Sequence, residues 1–228
     1  TEGVTNNTIL LFMSDNGAAY RDFYNVGDFK DFLQANYDNS YENMGNASSF
    51  VSYGPAWAEA TSAPFRYYKS YTFEGGIRVP LIIRDPNAVK SGSINKSFLT
   101  LTDLAPTFYE LAQAQFPETY NSNKIYPLKG KSVLPLLRSD TNQIHSTEET
   151  WTMEHHHHVL VRKGAWKLVN TGMMGWDEST FELYNILDDP SESVDKKDND
   201  PEKYQELLAV WKTFKEEYQV KQYESSSD

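Results

Sequence analysis

The chain has 228 residues, 39% of them hydrophobic and 14% aromatic, which is enough for one sizeable domain or a domain with a smaller companion. Its formal net charge of −11, with no basic patch along the sequence, argues against a nucleic-acid-binding protein. The chain has no cysteine, which excludes disulfides, thiolate metal sites and a cysteine nucleophile within these residues, and no apolar run long enough to predict a membrane span.

A short apolar run near the start, residues 8–13, ends abruptly at Asp15, Asn16 and Gly17. A run without polar alternation predicts a strand buried on both faces of a sheet in an α/β protein. Ligands of such sheets bind beyond the carboxyl ends of the strands, and Asp15 and Asn16 offer the hard oxygens that Ca²⁺ or Mg²⁺ requires. The alternative is an Asx turn that closes the strand, which the tripeptide taken alone favours.

A polar and aromatic stretch follows over residues 18–53, with a short helix predicted over 26–33. A long irregular segment after a strand is either one wall of a site or a surface insertion, and the sequence does not choose between them. Lys69 stands among aromatic residues, either as a surface lysine whose stem lies on the rings or as a point charge suited to a tetrahedral anion. A Gly75–Gly76 turn then leads to a second predicted strand over 79–84.

The second half of the chain carries clearer start and stop signals. Capping residues and prolines predict later helices that begin at Asp103, near Val133 and at Asp200. Apolar, β-branched runs predict the strands of a small antiparallel sheet, over 159–162, 166–169 and 181–186. The predicted domains are therefore 1–146 and 147–222, followed by a disordered tail over 223–228.

A series of short motifs runs along nearly the whole chain. Those of the first half are Phe12–Gly17, Tyr37–Ser40, Tyr53–Pro55, Tyr68–Lys69 and Gly75–Pro80. Those of the second half are Asp103–Thr107, Arg162–Lys167, Leu183–Tyr184 and Asp189–Pro190. Each is weak alone, but their order resembles the sulfatases of the alkaline-phosphatase superfamily, and among them the bacterial-type arylsulfatases.

The resemblance implies an α/β fold, in which part of an alkaline-phosphatase-like mixed sheet sandwiched by helices precedes a small antiparallel sheet with a carboxyl-terminal helix. It also implies that the chain is the carboxyl-terminal half of a sulfatase, because the family's nucleophile motif and amino-terminal carboxylate pair have no counterpart before the first strand. The implied partners are the missing amino-terminal half of the same protein and a small sulfate ester or sulfated glycan. This chain alone is expected to be inactive.

The resemblance assigns roles to three residues. Asp15 and Asn16 match two ligands of the active-site calcium, which holds the sulfate oxygens. Lys69 matches the lysine that contacts the sulfate and helps the leaving oxygen depart, so it is the candidate catalytic and substrate-binding residue. The chemistry agrees, because cleavage of a sulfate ester needs positive charge at the nonbridging oxygens and at the leaving oxygen.

Two features depart from the family pattern: the missing nucleophile motif before the first strand, and a run of four histidines. Residues 62–66 match the Cys/Ser-x-Pro-x-Arg motif from which the family makes its formylglycine nucleophile, but they lie where the family carries no catalytic residue, so we interpret the match as coincidental. Four consecutive histidines, 155–158, replace a mostly apolar stretch. Alternating strand side chains cannot chelate one ion together, so we favour a tolerated polar edge; the alternative is that one histidine lines the substrate rim.

The expected function is calcium-dependent hydrolysis of sulfate monoesters by an arylsulfatase whose formylglycine nucleophile lies upstream of this chain. One alternative is a phosphonate or phosphodiester hydrolase of the same superfamily. Another is a non-catalytic, sulfatase-like module that binds sulfated glycans. We expect a periplasmic or secreted protein, and no motif identifies its natural substrate.

Overall fold

The computed structural model describes residues 3–171 and 176–221. The strands in these residues are β1 (Leu10–Met13), β2 (Leu81–Arg84), β3 (Thr119–Tyr120), β4 (Asn123–Lys124), β5 (Thr150–His155), β6 (His158–Lys163), β7 (Trp166–Val169) and β8 (Glu182–Asn185). The α-helices are α1 (Lys30–Asn36), α2 (Gly54–Ser62), α3 (Glu74–Ile77), α4 (Leu104–Leu111), α5 (Leu134–Leu137) and α6 (Pro201–Glu217). None of these helices is both long and apolar enough to cross a membrane.

The chain divides into two compact units, each assembled from separated stretches. The first contains the described part of Thr1–Met13 together with Leu81–Glu149. The second contains Ser14–Pro80 and the described part of Thr150–Asp228. The predicted domains 1–146 and 147–222 stay a prediction, and the predicted tail over 223–228 lies outside the described residues.

In the first unit, β1 and β2 form an antiparallel pair in which Phe12 lies opposite Ile82. One face of this pair is apolar and open to solvent, since the side chains of Leu10, Phe12 and Ile82 are exposed by 60%, 67% and 62%. The α/β fold predicted from the sequence is confirmed, but the prediction that this strand is buried on both faces is not met by the described residues. We call the side chains of Leu10, Phe12 and Ile82 the open apolar face.

Asp103 is the centre of a hydrogen-bond network in the first unit. Its buried carboxylate accepts hydrogen bonds from the backbone N–H groups of Thr100 at 2.6 Å and Lys131 at 2.8 Å. Nε2 of His145 lies 3.0 Å from the same carboxylate, and Nδ1 lies 3.1 Å from Oε2 of Glu149. The predicted helix start at Asp103 is confirmed, because α4 follows directly on a 3-10 turn, Leu101–Asp103, in which Thr100 and Asp103 form a capping box.

The second unit is built on an antiparallel sheet in the order β5-β6-β7-β8, which confirms the small sheet predicted from the sequence. One face packs against α6 through Val159, Val161, Leu168, Phe181, Leu183, Leu207, Leu208 and Trp211. The other face packs against the segment before β2 through Phe73, Leu160, Val169, Tyr184 and Ile186. Burying one such side chain stabilises a fold by about 1.5–3 kcal/mol, so both layers are held firmly to the sheet.

Element boundaries differ from the sequence predictions for local reasons. Helix α1 begins at Lys30 rather than near residue 26, because Gly27 has a φ of 95°, which a right-handed helix cannot continue. Strand β2 begins only after Pro80, since proline has no N–H to donate to the ladder. Helix α2 was not predicted, although Pro55 at its first turn is a recognised start signal.

Candidate active site

Two backbone hydrogen bonds join the loop that follows β1 to the segment that precedes β2. The N–H of Gly17 donates to the carbonyl oxygen of Gly76 at 2.9 Å, and the N–H of Lys69 donates to that of Ala18 at 3.1 Å. All of these residues lie in the second unit. The loop of Asp15 and Asn16 and the segment of Lys69 are therefore neighbours.

Very close backbone packing explains why residues 17, 75 and 76 are all glycine. A Cβ atom on Gly17 would lie 1.9 Å from the carbonyl oxygen of Gly75, and one on Gly75 would lie 2.0 Å from that of Tyr67. A Cβ atom on Gly76 would lie 2.1 Å from the carbonyl oxygen of Tyr71. These separations leave no room for a side chain, so the glycines let the two backbone segments touch.

The side chains of the three predicted site residues are accessible. Asp15 and Lys69 are exposed, and Asn16 is half-buried. Within residues 3–171 and 176–221, none of the three side chains has a hydrogen-bond or ion-pair partner. Their polar atoms are therefore not committed to contacts in this part of the chain.

The donor atoms of Asp15 and Asn16 fit part of a calcium site. A carboxylate and an amide carbonyl are hard oxygen donors, and calcium takes about six to eight of them, so this pair would supply a minority of its ligands. No group of three or more His, Asp or Glu side chains suited to a metal occurs within the described residues. A cation at this loop would need further ligands beyond the pair.

Aromatic rings surround the Lys69 segment, as its sequence indicated. The ring of Tyr20 stacks on that of Tyr68 with centroids 4.9 Å apart, and Tyr67 stacks on Tyr71 at 4.3 Å. Burial raises the pKa of both Tyr68 and Tyr71, so their phenols stay uncharged at neutral pH. The formal charge of residues 67–71 is thus carried by the ammonium of Lys69.

Arg66, the arginine of the formylglycine-like match, is held in a different network. Its guanidinium donates to Oε2 of Glu182 at 3.0 Å, to the hydroxyl of Tyr184 at 2.9 Å and to the backbone carbonyl of Glu192 at 3.3 Å. Ser62 of the same match is the last residue of α2. Arg66 therefore ties its own segment to β8 and to the residues that follow β8.

Lys167, Glu74 and Glu192 form a buried ion cluster in the same unit. Nζ of Lys167 is 2.8 Å from Oε1 of Glu74 and 2.7 Å from Oε1 of Glu192, and its side chain is fully buried. Burial opposes ionisation of Glu74, but the ammonium of Lys167 and the guanidinium groups of Arg78 and Arg162 together outweigh burial and lower the pKa of that carboxyl. Burial raises the pKa of Glu192. The sequence analysis used Lys167 only as a landmark, and a single lysine in a short strand gives no signal of such a cluster.

The four histidines lie at the β5–β6 hairpin, and only the outer two belong to strands. His155 pairs with His158 across the ladder, while His156 and His157 form the turn with φ angles of 49° and 68°. The assumption of one continuous strand was therefore wrong. His158 is buried, its ring lies 4.7 Å from that of Tyr71, and burial lowers its pKa. That a histidine lines the substrate rim stays a prediction.

Known proteins similar to this chain are sulfatases. An uncharacterized sulfatase of Schizosaccharomyces pombe is 32% identical over 95% of this chain and 39% of its own length. An arylsulfatase of Klebsiella aerogenes is 36% identical over 58% of this chain and 28% of its own length. A solved structure titled for glycosaminoglycan metabolism by Bacteroides thetaiotaomicron has a TM-score of 0.59 and 22% identity, covering 93% of this chain and 39% of that one. The chain thus spans well under half the length of each.

Two family models together match residues 1–221 of the chain. Residues 1–114 match the model for sulfatases. Residues 65–221, more than half of the chain, match the model for the C-terminal region of N-sulphoglucosamine sulphohydrolase. Together with the motifs and the fold, these matches show that the chain belongs to the sulfatase family.

Proposed function

We propose that this chain forms part of a hydrolase of sulfate monoesters, in which Asp15 and Asn16 hold a calcium ion and Lys69 contacts the sulfate group. The observation that carries the proposal is the pair of backbone hydrogen bonds that makes the Asp15 loop and the Lys69 segment neighbours. Family membership supports the reaction class. The side chains of all three residues have no hydrogen-bond or ion-pair partner among the described residues, which supports a role in binding a ligand.

Asp15 and Asn16 have a binding role in this proposal. Bound calcium would neutralise negative charge on the nonbridging sulfate oxygens. The carboxylate of Asp15 and the amide oxygen of Asn16 would hold it, and Gly17 fixes the loop behind them by packing on Gly75. Because the loop is held by its backbone, both side chains can face a ligand without loss of their support.

Lys69 supplies charge where the ester bond breaks. Its ammonium carries three donors on a flexible stem and can follow the leaving oxygen as negative charge develops there. An interaction that strengthens in this way lowers the barrier, whereas one of constant strength improves only binding. The tyrosines beside Lys69 stay neutral and add no charge of their own.

We also propose that the formylglycine nucleophile lies upstream, in an amino-terminal half that completes the site. The open apolar face supports this proposal, because covering Leu10, Phe12 and Ile82 would contribute about 1.5–3 kcal/mol for each side chain buried. The share of the relatives' length that this chain spans also supports it. The open apolar face would then become an interior layer of the larger sheet.

For the substrate we propose aryl sulfates as convenient assay compounds and sulfated sugars as the natural class. The match to the N-sulphoglucosamine sulphohydrolase model supports a sulfated sugar, and the arylsulfatase of Klebsiella aerogenes supports activity on aryl esters. The half-buried and exposed polar residues of 18–53 would form the part of the site that contacts the sugar.

The test compares hydrolysis of an aryl sulfate and an aryl phosphodiester by the full-length protein, with added calcium and after chelation. The Asp15→Ala variant should lose the hydrolysis that calcium supports. The Asp28→Ala variant, changed at an exposed position of the same unit, should keep it. Faster hydrolysis of the sulfate supports the proposal. Preference for the phosphodiester would favour the sister hydrolase, and binding of sulfated glycans without hydrolysis would favour the non-catalytic module.

A further inference from the structure

The buried ion cluster joins three separated stretches of the second unit. Lys167 belongs to β7, Glu74 is the first residue of α3, and Glu192 follows β8. The side chains of Lys167 and Glu192 are fully buried, and that of Glu74 is 6% exposed. The cluster therefore connects the sheet, the α3 turn and the segment after β8 where water cannot compete for the charges.

Glu192 makes a second contact that orients the α3 turn. Its Oε2 accepts the backbone N–H of Glu74 at 2.6 Å, while its Oε1 faces Lys167. The carboxylate of Glu192 thus caps the first residue of the turn, and Lys167 holds the carboxylates of both Glu74 and Glu192. Arg78 adds a weaker contact, with its guanidinium 3.5 Å from Oε2 of Glu74.

The α3 turn in turn supports the Asp15 loop through its backbone. Gly75 and Gly76 follow Glu74 directly, and Gly76 accepts the N–H of Gly17. A Cβ on Gly17 would be only 1.9 Å from the carbonyl oxygen of Gly75, so the backbones of the turn and the loop are in direct contact. A displacement of the turn must therefore displace the loop as well.

We propose that Lys167 is a positioning residue, which acts through Glu74 and Glu192 to hold the Gly75–Gly76 turn where the Asp15–Asn16 loop needs it. The inference deepens the proposed function and rests on it, because it takes Asp15 and Asn16 as the ligands of the cation. Lys167 is too deeply buried to touch a ligand itself.

The charges of the cluster distinguish a positioning role from ordinary core packing, for which an apolar side chain would suffice. Val169, the next residue on the same face of β7, shows that an apolar side chain packs well here. Removing Lys167 alone would leave the buried carboxylate of Glu192 without its cation and that of Glu74 with only the longer contact to Arg78, so the two carboxylates would separate or draw in water. Either response moves the backbone of the α3 turn, whereas a cavity on the opposite face of the sheet would not.

The test uses the full-length protein and four variants. Lys167→Met removes the charge at similar length, and Leu168→Ala is the control, because Leu168 packs on the α6 face of the same strand. Glu192→Gln keeps one acceptor oxygen, which can serve either the N–H of Glu74 or the ammonium of Lys167, and Glu192→Ala removes both contacts. The first readout is amide hydrogen exchange at Gly17 and Lys69 in metal-free protein, and the second is calcium affinity by calorimetry.

Positioning predicts that Lys167→Met speeds exchange at both amides by about tenfold or more relative to Leu168→Ala compared at equal global stability, and weakens calcium binding by a similar factor. Glu192→Ala should behave like Lys167→Met, and Glu192→Gln should lie between Glu192→Ala and the wild type, because it keeps one of the two contacts. If Lys167→Met does not fold, the two Glu192 variants decide the question by the same readouts.

Equal exchange in Lys167→Met and Leu168→Ala, or in Glu192→Ala and the wild type, would overturn the positioning role. A wild-type protein that binds no calcium would instead contradict the proposed function. The exchange rates in metal-free protein would still decide whether Lys167 positions the loop.

Discussion

The backbone N–H of Lys69 donates to the carbonyl oxygen of Ala18 at 3.1 Å, which joins two segments that are far apart in sequence. The bond uses no side-chain atom of Lys69, and the ammonium has no partner among the described residues. The placement of Lys69 and its chemistry are therefore separable. A substitution can remove the charge and leave the segment where it is.

Replacing Lys69 with alanine in the full-length protein should lower kcat for an aryl sulfate by a factor of about 10² to 10³, the usual loss for one electrostatic donor in an active site. The melting temperature should change little, because the side chain is exposed. Lys69→Arg should restore activity only in part, since a planar guanidinium places its charge differently. Unchanged kcat/KM in Lys69→Ala would remove this residue from the site.

Replacing Gly17 with alanine should weaken calcium binding, because the new Cβ would lie 1.9 Å from the carbonyl oxygen of Gly75 and the loop would have to move. Relieving such overpacking costs about 1–3 kcal/mol of stability. Gly45→Ala is the control, since Gly45 has open space around it but a φ of 82° that strains an alanine. Calorimetry should show a calcium affinity loss in Gly17→Ala that exceeds any in Gly45→Ala; equal affinities would contradict the proposed loop geometry.

Local sequence signals predicted much of the fold. The helix starts at Asp103 and Asp200 were correct because the sequence signals of a helix start lie within one turn of the chain, as Pro201 in the first turn of α6 illustrates. The β6–β7 hairpin was correct because two apolar runs flank a glycine turn, which the structure places at Gly164 and Ala165.

Contacts between residues that are far apart in the sequence could not be predicted from such local signals. In the sequence, Lys167 is an ordinary polar residue of a predicted strand. Only the fold places Glu74 and Glu192 beside it. The turn at His156 and His157 was missed for a different reason, since residues other than glycine rarely adopt its positive φ angles. Within the candidate site, Asp15, Asn16 and Lys69 came from family motifs, and only the structure shows that their segments touch.

Acid should weaken the first unit through Glu149. The ammonium of Lys131, the N–H of Ser146 and the ring of His145 lower the pKa of this carboxyl from 4.5 to about 2. A carboxyl with a lowered pKa stabilises the folded state fully above its unfolded value, and this contribution is lost as the pH falls from about 4.5 to about 2. Because the side chain is 41% exposed, the contribution should not exceed about 1 kcal/mol.

The measurement is the melting temperature of full-length wild type and Glu149→Gln across this pH range. The variant should melt lower near neutral pH, and the difference should vanish toward about pH 2. Glu118→Gln, at an exposed position of the same unit, should show no such dependence. A difference between wild type and Glu149→Gln that grows on acidification would contradict the assigned contacts.

The open apolar face should be buried in the full-length protein. Phe12→Thr should then lower the melting temperature, because removing a large buried aromatic side chain costs about 3–5 kcal/mol. Ile94→Thr is the control, at a position 88% exposed in the same unit. Thermal unfolding that is identical for Phe12→Thr and the wild type would show that this face stays open and that no amino-terminal half covers it.

The most direct measurement of the central claim is a crystal structure of the full-length protein with calcium and inorganic sulfate. The account predicts a calcium ion about 2.3–2.6 Å from oxygens of Asp15 and Asn16. It also predicts a sulfate oxygen about 2.7–2.9 Å from Nζ of Lys69. A calcium ion bound without Asp15 and Asn16, or a sulfate bound away from Lys69, would contradict it.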